Sequence, residues 1–202
     1  VVKPLIEIVF ENLFEQGFRN FCFIIGNKGN SIYHHFSYDE KIVNILKKRN
    51  LEVDKIYLKH LNSLERKIKK CNISWIKQET PMGFGDAVLK AEKFVSEKNF
   101  LLHAGDLYLP DYSFFKSFLK RFNDDRTSGT LLLQHRQNHE LSSYGIAKIR
   151  NDQRKTVLDV KEKPKNPISN LVILPVYLFN KKIFFELKKT KEGHNNELQL
   201  TD

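Results

Sequence analysis

Cysteine is almost missing from the 202 residues: Cys22 and Cys71 are the only two, far apart and without CxxC or Cys/His spacing. That excludes a disulfide framework and a cysteine-based metal centre. Cys22 sits inside an apolar run and is expected in the core. No apolar run approaches the roughly 18 residues that suggest a membrane span, and no basic-then-apolar leader opens the chain. A soluble, cytoplasmic protein with no membrane partner is the expectation. Linkers, internal repeats and low-complexity segments are lacking too, which points to a single domain over residues 1–202. Glycine is scarce, nine in all, so the places where it clusters stand out.

What is present is ordinary in bulk, with 41% hydrophobic and 29% charged residues, the composition of a globular chain long enough to bury a substantial core. The formal charge of +10 comes from scattered lysines, with small groups at Lys47-Lys48-Arg49, Lys67 to Lys70 and Lys161 to Lys165. A basic balance favours anionic partners in general, but no nucleic-acid module accompanies it, so nucleic acid is not an expected partner. Solvated helix faces account for such charges equally well.

Hydrophobic spacing then alternates helix and strand. Leu5, Ile6, Val9, Phe10, Leu13 and Phe14 recur at helical intervals and stop at Gly17, predicting a helix over about 4–16 closed by a glycine. "FCFIIG" (21–26) reads as a buried strand. Asp39 is a candidate N-cap for a helix whose Ile42, Ile45 and Leu46 are expected to face inward. "NISWIKQ" reads as a strand, Phe84, Val88, Ala91 and Val95 mark a helix, and "FLLHAGDLYL" is the next strand. Phe115, Phe118, Leu119 and Phe122 mark another helix, and "GTLLLQH" a strand. Beyond Gln137 come "YGIAKI", "TVLDVKEK" and "NLVILPVYLF", then a short helix near 183–187. The alternation predicts an α/β protein: a Rossmann-like, mostly parallel sheet with helices on both faces. Ligands of such sheets bind beyond the carboxyl ends of the strands, where Gln78 and Asp106 fall.

Two glycine clusters adjoin strands. "GNKGNS" (26–31) lacks the order of a phosphate loop, and a plain strand-to-helix turn is the better reading. "PMGFGDAV" (81–88) places two glycines where a ligand could approach the backbone and meet N–H groups at a helix N-terminus. "LLHAGDLYL" (101–109) raises a different problem, an acid inside an apolar run, since an unpaired buried carboxylate is strongly unfavourable. Asp106 therefore calls for a balancing partner or a backbone turn to cap.

Six stretches, "KPLIEIVFENLFEQG", "QETPMGFGDAVLKA", "HAGDLYL", "YGIAKI", "VKEKPKNPISNL" and "TKEGHNNELQLTD", stand in the order and near the intervals seen in the sugar-1-phosphate nucleotidyltransferases. The chain resembles this family over nearly its whole length, and most closely its UTP:glucose-1-phosphate uridylyltransferases of bacterial and archaeal type. The resemblance implies the nucleotide-diphospho-sugar transferase fold and transfer of a uridylyl group from UTP to glucose 1-phosphate. Thymidylyl or guanylyl transfer to glucose or mannose 1-phosphate is the alternative, with a noncatalytic regulatory homologue as a third. By the same resemblance Gln78 and the backbone of Gly83 read the uracil, and Asp106 and Asp202 contact Mg2+. Gly145 offers a backbone contact to the sugar, Glu162 holds sugar hydroxyls, Lys163 neutralises the sugar phosphate, and Asn170 helps to orient the sugar. A homo-oligomer is compatible with it. The family's opening strand and glycine-rich loop, of the pattern G-x-G-T-R followed by a P-K segment, has no counterpart here, Gly17 being the only glycine before Cys22. Relatives also continue past the position of Asp202. The expectation is a complete enzyme with trimmed termini, whose 202-residue portion is catalytically incomplete by itself.

Overall fold

A computed structural model describes residues 2–122, 127–191, 193 and 197–201. The chain gathers into two compact units, one of residues 1–80 with 108–112 and one of residues 81–107 with 113–202.

In the first unit, the apolar stripe forms helix α1 (Leu5–Glu15), which buries Val9, Phe10, Leu13 and Phe14. It ends as expected: Gly17 adopts φ +96, the Gly17 N–H donates to Phe14 and the Phe18 N–H to Leu13. These two bonds satisfy carbonyls that the last helical turn would otherwise leave open. Strand β1 (Asn20–Gly26) follows, then helices α2 (Asn30–His35), α3 (Glu40–Arg49) and α4 (Glu52–Ile68), and strand β2 (Asn72–Gln78). β1 and β2 pair in parallel, with Gly26 opposite Gln78 at their carboxyl ends. Phe10, Phe14, Phe36 and Leu64 form the core, with Phe21, Phe23 and Trp75 packed on it. Phe36 meets Phe10 edge-on at 5.3 Å, and Phe23 stacks on Trp75 at 4.6 Å. Both geometries suit the ring quadrupole.

Asp39 caps α3 as expected, its side chain accepting from the N–H groups of Lys41 and Ile42. The inward face is Val43 and Leu46, however, whereas Ile42 and Ile45 are 47% and 55% exposed. A shift of one residue turns a helix face by about 100°, enough to exchange those pairs. Helix α4 carries its apolar residues among so many charges that the spacing did not announce it. Basic clusters end these helices, Lys47, Lys48 and Arg49 in the last turn of α3 and Arg66 and Lys67 in that of α4, where the helix dipole favours cations. Lys67 also pairs with Glu11 and Glu15. Cys22 is half-buried rather than sealed in the core, and burial pushes its thiol up to about 11.

The second unit contains α5 (Phe84–Lys90), β3 (Asn99–His103), α6 (Phe115–Phe122), β4 (Gly129–His135), a 3-10 turn (Asn138–Ser143), β5 (Ile146–Ile149), β6 (Val157–Lys161), β7 (Leu171–Asn180) and α7 (Lys182–Lys189). β7 is the hub: β3, β4 and β5 all pair with it antiparallel, and β6 pairs antiparallel with β5. The mostly parallel sheet is therefore corrected: among the described residues only β1 and β2 are parallel. β5 and β6 follow each other without an intervening helix, and a short link can join only antiparallel neighbours. Pro175 lies inside β7 and has no N–H for the ladder. The β4 pairing shifts register there, between Leu131 and Leu132, the irregularity that a strand proline requires. Ala147, Ile173, Tyr177 and Phe179 form one core cluster; Val88, Val95, Phe184 and Leu187 form another. No helix among the described residues is long and apolar enough to cross a membrane.

Candidate functional site

Gln78 closes β2 at its carboxyl end, opposite Gly26. Beside it the Asn27 side-chain amide donates to the Glu79 carbonyl, tying the two strand ends together. "GNKGNS" is the plain turn into α2: the Gly29 N–H donates to the Gly26 carbonyl at 2.8 Å, and a Cβ on Gly29 would stand 2.6 Å from that of Ile25.

In the second unit Gly83 is the N-cap of α5, at φ +101 and ψ 171. The space beside it is filled rather than open, because a Cβ there would lie 2.5 Å from the Leu198 carbonyl oxygen. Gly85 is equally confined, at 2.8 Å from the same atom, and its N–H already donates to Leu198. The glycines of "PMGFG" thus admit a neighbouring segment of the chain itself.

Asp106 is not a buried acid. β3 stops at His103, and Asp106 lies on the turn that follows with its side chain exposed. The turn is built by backbone bonds, Ala104 N–H to the Pro175 carbonyl at 2.9 Å and Leu107 N–H to Ala104 at 3.4 Å. His103 beneath it bonds through Nδ1 to the Ala104 carbonyl at 2.8 Å. Burial holds the His103 imidazole below its ordinary range, opposed by that bond and by the charge of Asp106.

Gly145, Glu162 and Lys163 come together. A Cβ on Gly145 would lie 3.3 Å from Glu162 Oε2 and 3.1 Å from Thr201 Cγ2, so both side chains lie close over the Gly145 backbone. The Thr201 hydroxyl donates to Glu162 Oε2, and Lys163 Nζ lies 3.6 Å from Glu162 Oε1. The Glu162 side chain is 14% exposed and that of Lys163 46%, a shielded acid beside an accessible cation. Lys163 takes φ +37, rare for a residue with a side chain and rarer before proline. Strain of that kind costs roughly 1–3 kcal/mol and gathers at functional positions. The Lys163 N–H donates to the Tyr144 carbonyl at 3.2 Å, helping to hold it. Burial first, and the Glu162 charge second, keep the Tyr177 phenol well above its ordinary value.

Asn170 is exposed and its Oδ1 faces His135 Nδ1 at 3.2 Å, while its carbonyl accepts from the Arg136 N–H. Asp202 lies outside the described residues. Two residues escaped sequence reasoning, Thr201 and Leu198. Thr201 adjoins the acid of "QLTD", and that position is the one signal that could have drawn the eye to it.

A family profile described as Nucleotidyl transferase matches residues 1–202. Over 209 residues the chain is 30% identical to the UTP–glucose-1-phosphate uridylyltransferase of Mycoplasma genitalium, covering all of this chain and 69% of that protein. Among solved structures, a UDP-glucose pyrophosphorylase complexed with UDP-glucose superposes with a TM-score of 0.80 at 25% identity, covering 99% of this chain and 73% of the other. An apo UDP-glucose pyrophosphorylase gives 0.83 at 25% identity, covering 100% and 74%. Since the profile spans every residue and both folds agree over essentially the whole chain, this protein belongs to the nucleotidyl transferase family.

Proposed function

We propose that the protein transfers the uridylyl group of UTP to glucose 1-phosphate, giving UDP-glucose and pyrophosphate. The observation that carries the reading is the joining of Glu162, Lys163 and Gly145 in one cluster, with a strained lysine beside a shielded acid. The names of the relatives supply the substrate pair.

In the reaction a phosphate oxygen of the sugar attacks the α-phosphorus of UTP. A new P–O bond forms as the bond to the bridging oxygen breaks, and the electron pair leaves with pyrophosphate. The protein's part is to align the two anions and offset their charge. The Lys163 ammonium neutralises the sugar phosphate as a point charge. Glu162 accepts from sugar hydroxyls, Gly145 meets the sugar through its backbone, and Asn170 assists from the start of β7. Gln78 and the Gly83 backbone supply the donors and acceptors that a uracil edge demands.

No three His, Cys, Asp or Glu side chains form a metal cluster among the described residues. Magnesium does not need one, since it is usually held by one or two carboxylates together with substrate phosphates and water. The exposed carboxylate of Asp106 fits that role, and Asp202 is the second acid assigned to it. Bound there, the ion would offset negative charge on the phosphate oxygens. A cytoplasmic location belongs to the same proposal.

The test is an assay of the full chain, including any residues that flank these 202, with UTP and glucose 1-phosphate in magnesium buffer, following UDP-glucose and pyrophosphate together. Equimolar formation of both is expected, faster than with dTTP, GTP or mannose 1-phosphate. A clear preference for one of those would overturn the substrate assignment.

A further inference from the structure

Residues 198–201 hold two regions to which different substrate contacts are assigned. The Leu198 N–H donates to the Met82 carbonyl and the Leu198 carbonyl accepts from the Gly85 N–H, both at 2.8 Å. This clamp straddles Gly83. Leu198 packs on the Val88 and Phe184 cluster, and Leu200 packs on both that cluster and the one around Tyr177. Three residues beyond the clamp, the Thr201 hydroxyl reaches Glu162. A carboxylate has two oxygens and about four acceptor sites. With Oε2 occupied by Thr201, rotation of the Glu162 carboxylate is restrained and Oε1 is turned toward Lys163.

We propose that residues 198–201 act as a strap joining the Gly83 turn to the Glu162–Lys163 pair, with Thr201 as a positioning residue that orients Glu162 toward the sugar. The inference rests on the uridylyltransferase reading and adds to it. The strap accounts for both glycines of "PMGFG", because side chains at either position would strike the Leu198 carbonyl. It also crowds Gly145, where the Thr201 methyl lies 3.1 Å from the Cβ position.

Thr201→Val keeps the shape and removes the hydroxyl. It should raise the KM for glucose 1-phosphate about tenfold, the loss expected for one hydrogen bond to a charged group. The KM for UTP and the magnesium concentration for half-activation should stay unchanged. Thr201→Ser, which restores the hydroxyl, should recover most of the sugar affinity. In a Glu162→Ala background Thr201→Val should add no further loss, since residues acting through one another are non-additive.

An unchanged sugar KM would overturn the inference. So would an equal loss for both substrates, a shift in magnesium requirement, failure of serine to rescue, or full additivity with Glu162→Ala. Calorimetric titration of the unsubstituted protein with glucose 1-phosphate separates the two levels. No binding there sinks the uridylyltransferase reading and the strap's role with it, whereas normal binding with an indifferent Thr201→Val sinks the strap alone.

Discussion

Glu7 in the first unit and Glu162 in the second are both carboxylates shielded from solvent, and they are treated in opposite ways. Glu7 is fully buried. His35 Nε2 lies 2.7 Å from one of its oxygens, and His60 Nε2 and Lys3 Nζ lie 3.3 and 3.4 Å from the other. That second oxygen has ionic neighbours but no well-formed hydrogen bond. The group links α1 to α2 and α4, and no surface is left for a ligand. Glu162 is closed on one side by Thr201 and faces an accessible lysine on the other. A carboxylate enclosed by the protein on every side holds the fold together, whereas one closed on a single side can still accept from a ligand.

The contrast predicts that substitutions in the two units fail differently. Asp106, the most open of the three acids, gives the largest effect on rate. Asp106→Asn should lower turnover by roughly a hundredfold or more, the several kcal/mol that charge stabilisation by a metal ion supplies. Its melting temperature should not change, because the side chain is exposed. Rates measured across magnesium concentrations decide this, and near-normal turnover would reject the metal assignment.

Glu7→Ala should do the reverse. It leaves His35, His60 and Lys3 around an uncompensated cavity, and breaking a buried pair from one side costs about 3–5 kcal/mol. Urea unfolding reads that loss, and the KM values of the folded fraction should match the unsubstituted enzyme. A changed sugar KM with unchanged stability would erase the distinction between the two carboxylates.

The smallest effect concerns His103. Its folded pKa lies below the ordinary 6.5 because of burial, so it stays neutral in the fold under conditions where the unfolded chain takes up a proton. Stability from this site is complete above about pH 6.5 and declines as pH falls toward the folded pKa. In magnesium-free buffer His103→Gln should flatten that decline between pH 7 and 5, measured as the urea midpoint. An unaltered slope would show that His103 does not titrate as its burial implies.

Local signals were legible in the sequence and long-range ones were not. The stripe of α1 and its Gly17 ending, strands β1 and β2 and the Asp39 cap all depend on residues within one or two turns of each other. The antiparallel second sheet depends on β7 pairing with β3, β4 and β5, for which no residue type carries a mark. Nothing near Glu7 in the sequence marks it, because its two histidine partners arrive from α2 and α4. At the site, "EKP" and the "YG" of Gly145 stood out as motifs, and the structure brings them into one cluster. The hydroxyl that completes the cluster comes from Thr201, far along the chain. Asp106 was misjudged as buried because "LLHAGDLYL" looks continuous, whereas the strand ends before its alanine.

Lys163→Ala tests the central claim most directly. Titrations of the variant with glucose 1-phosphate and with UTP should show sugar-phosphate affinity falling about ten- to a hundredfold, from loss of a charge-assisted hydrogen bond of roughly 1.5–3 kcal/mol. UTP affinity should be nearly unchanged. Equal losses for both ligands, or none for the sugar phosphate, would contradict the assignment of this strained lysine to the sugar phosphate.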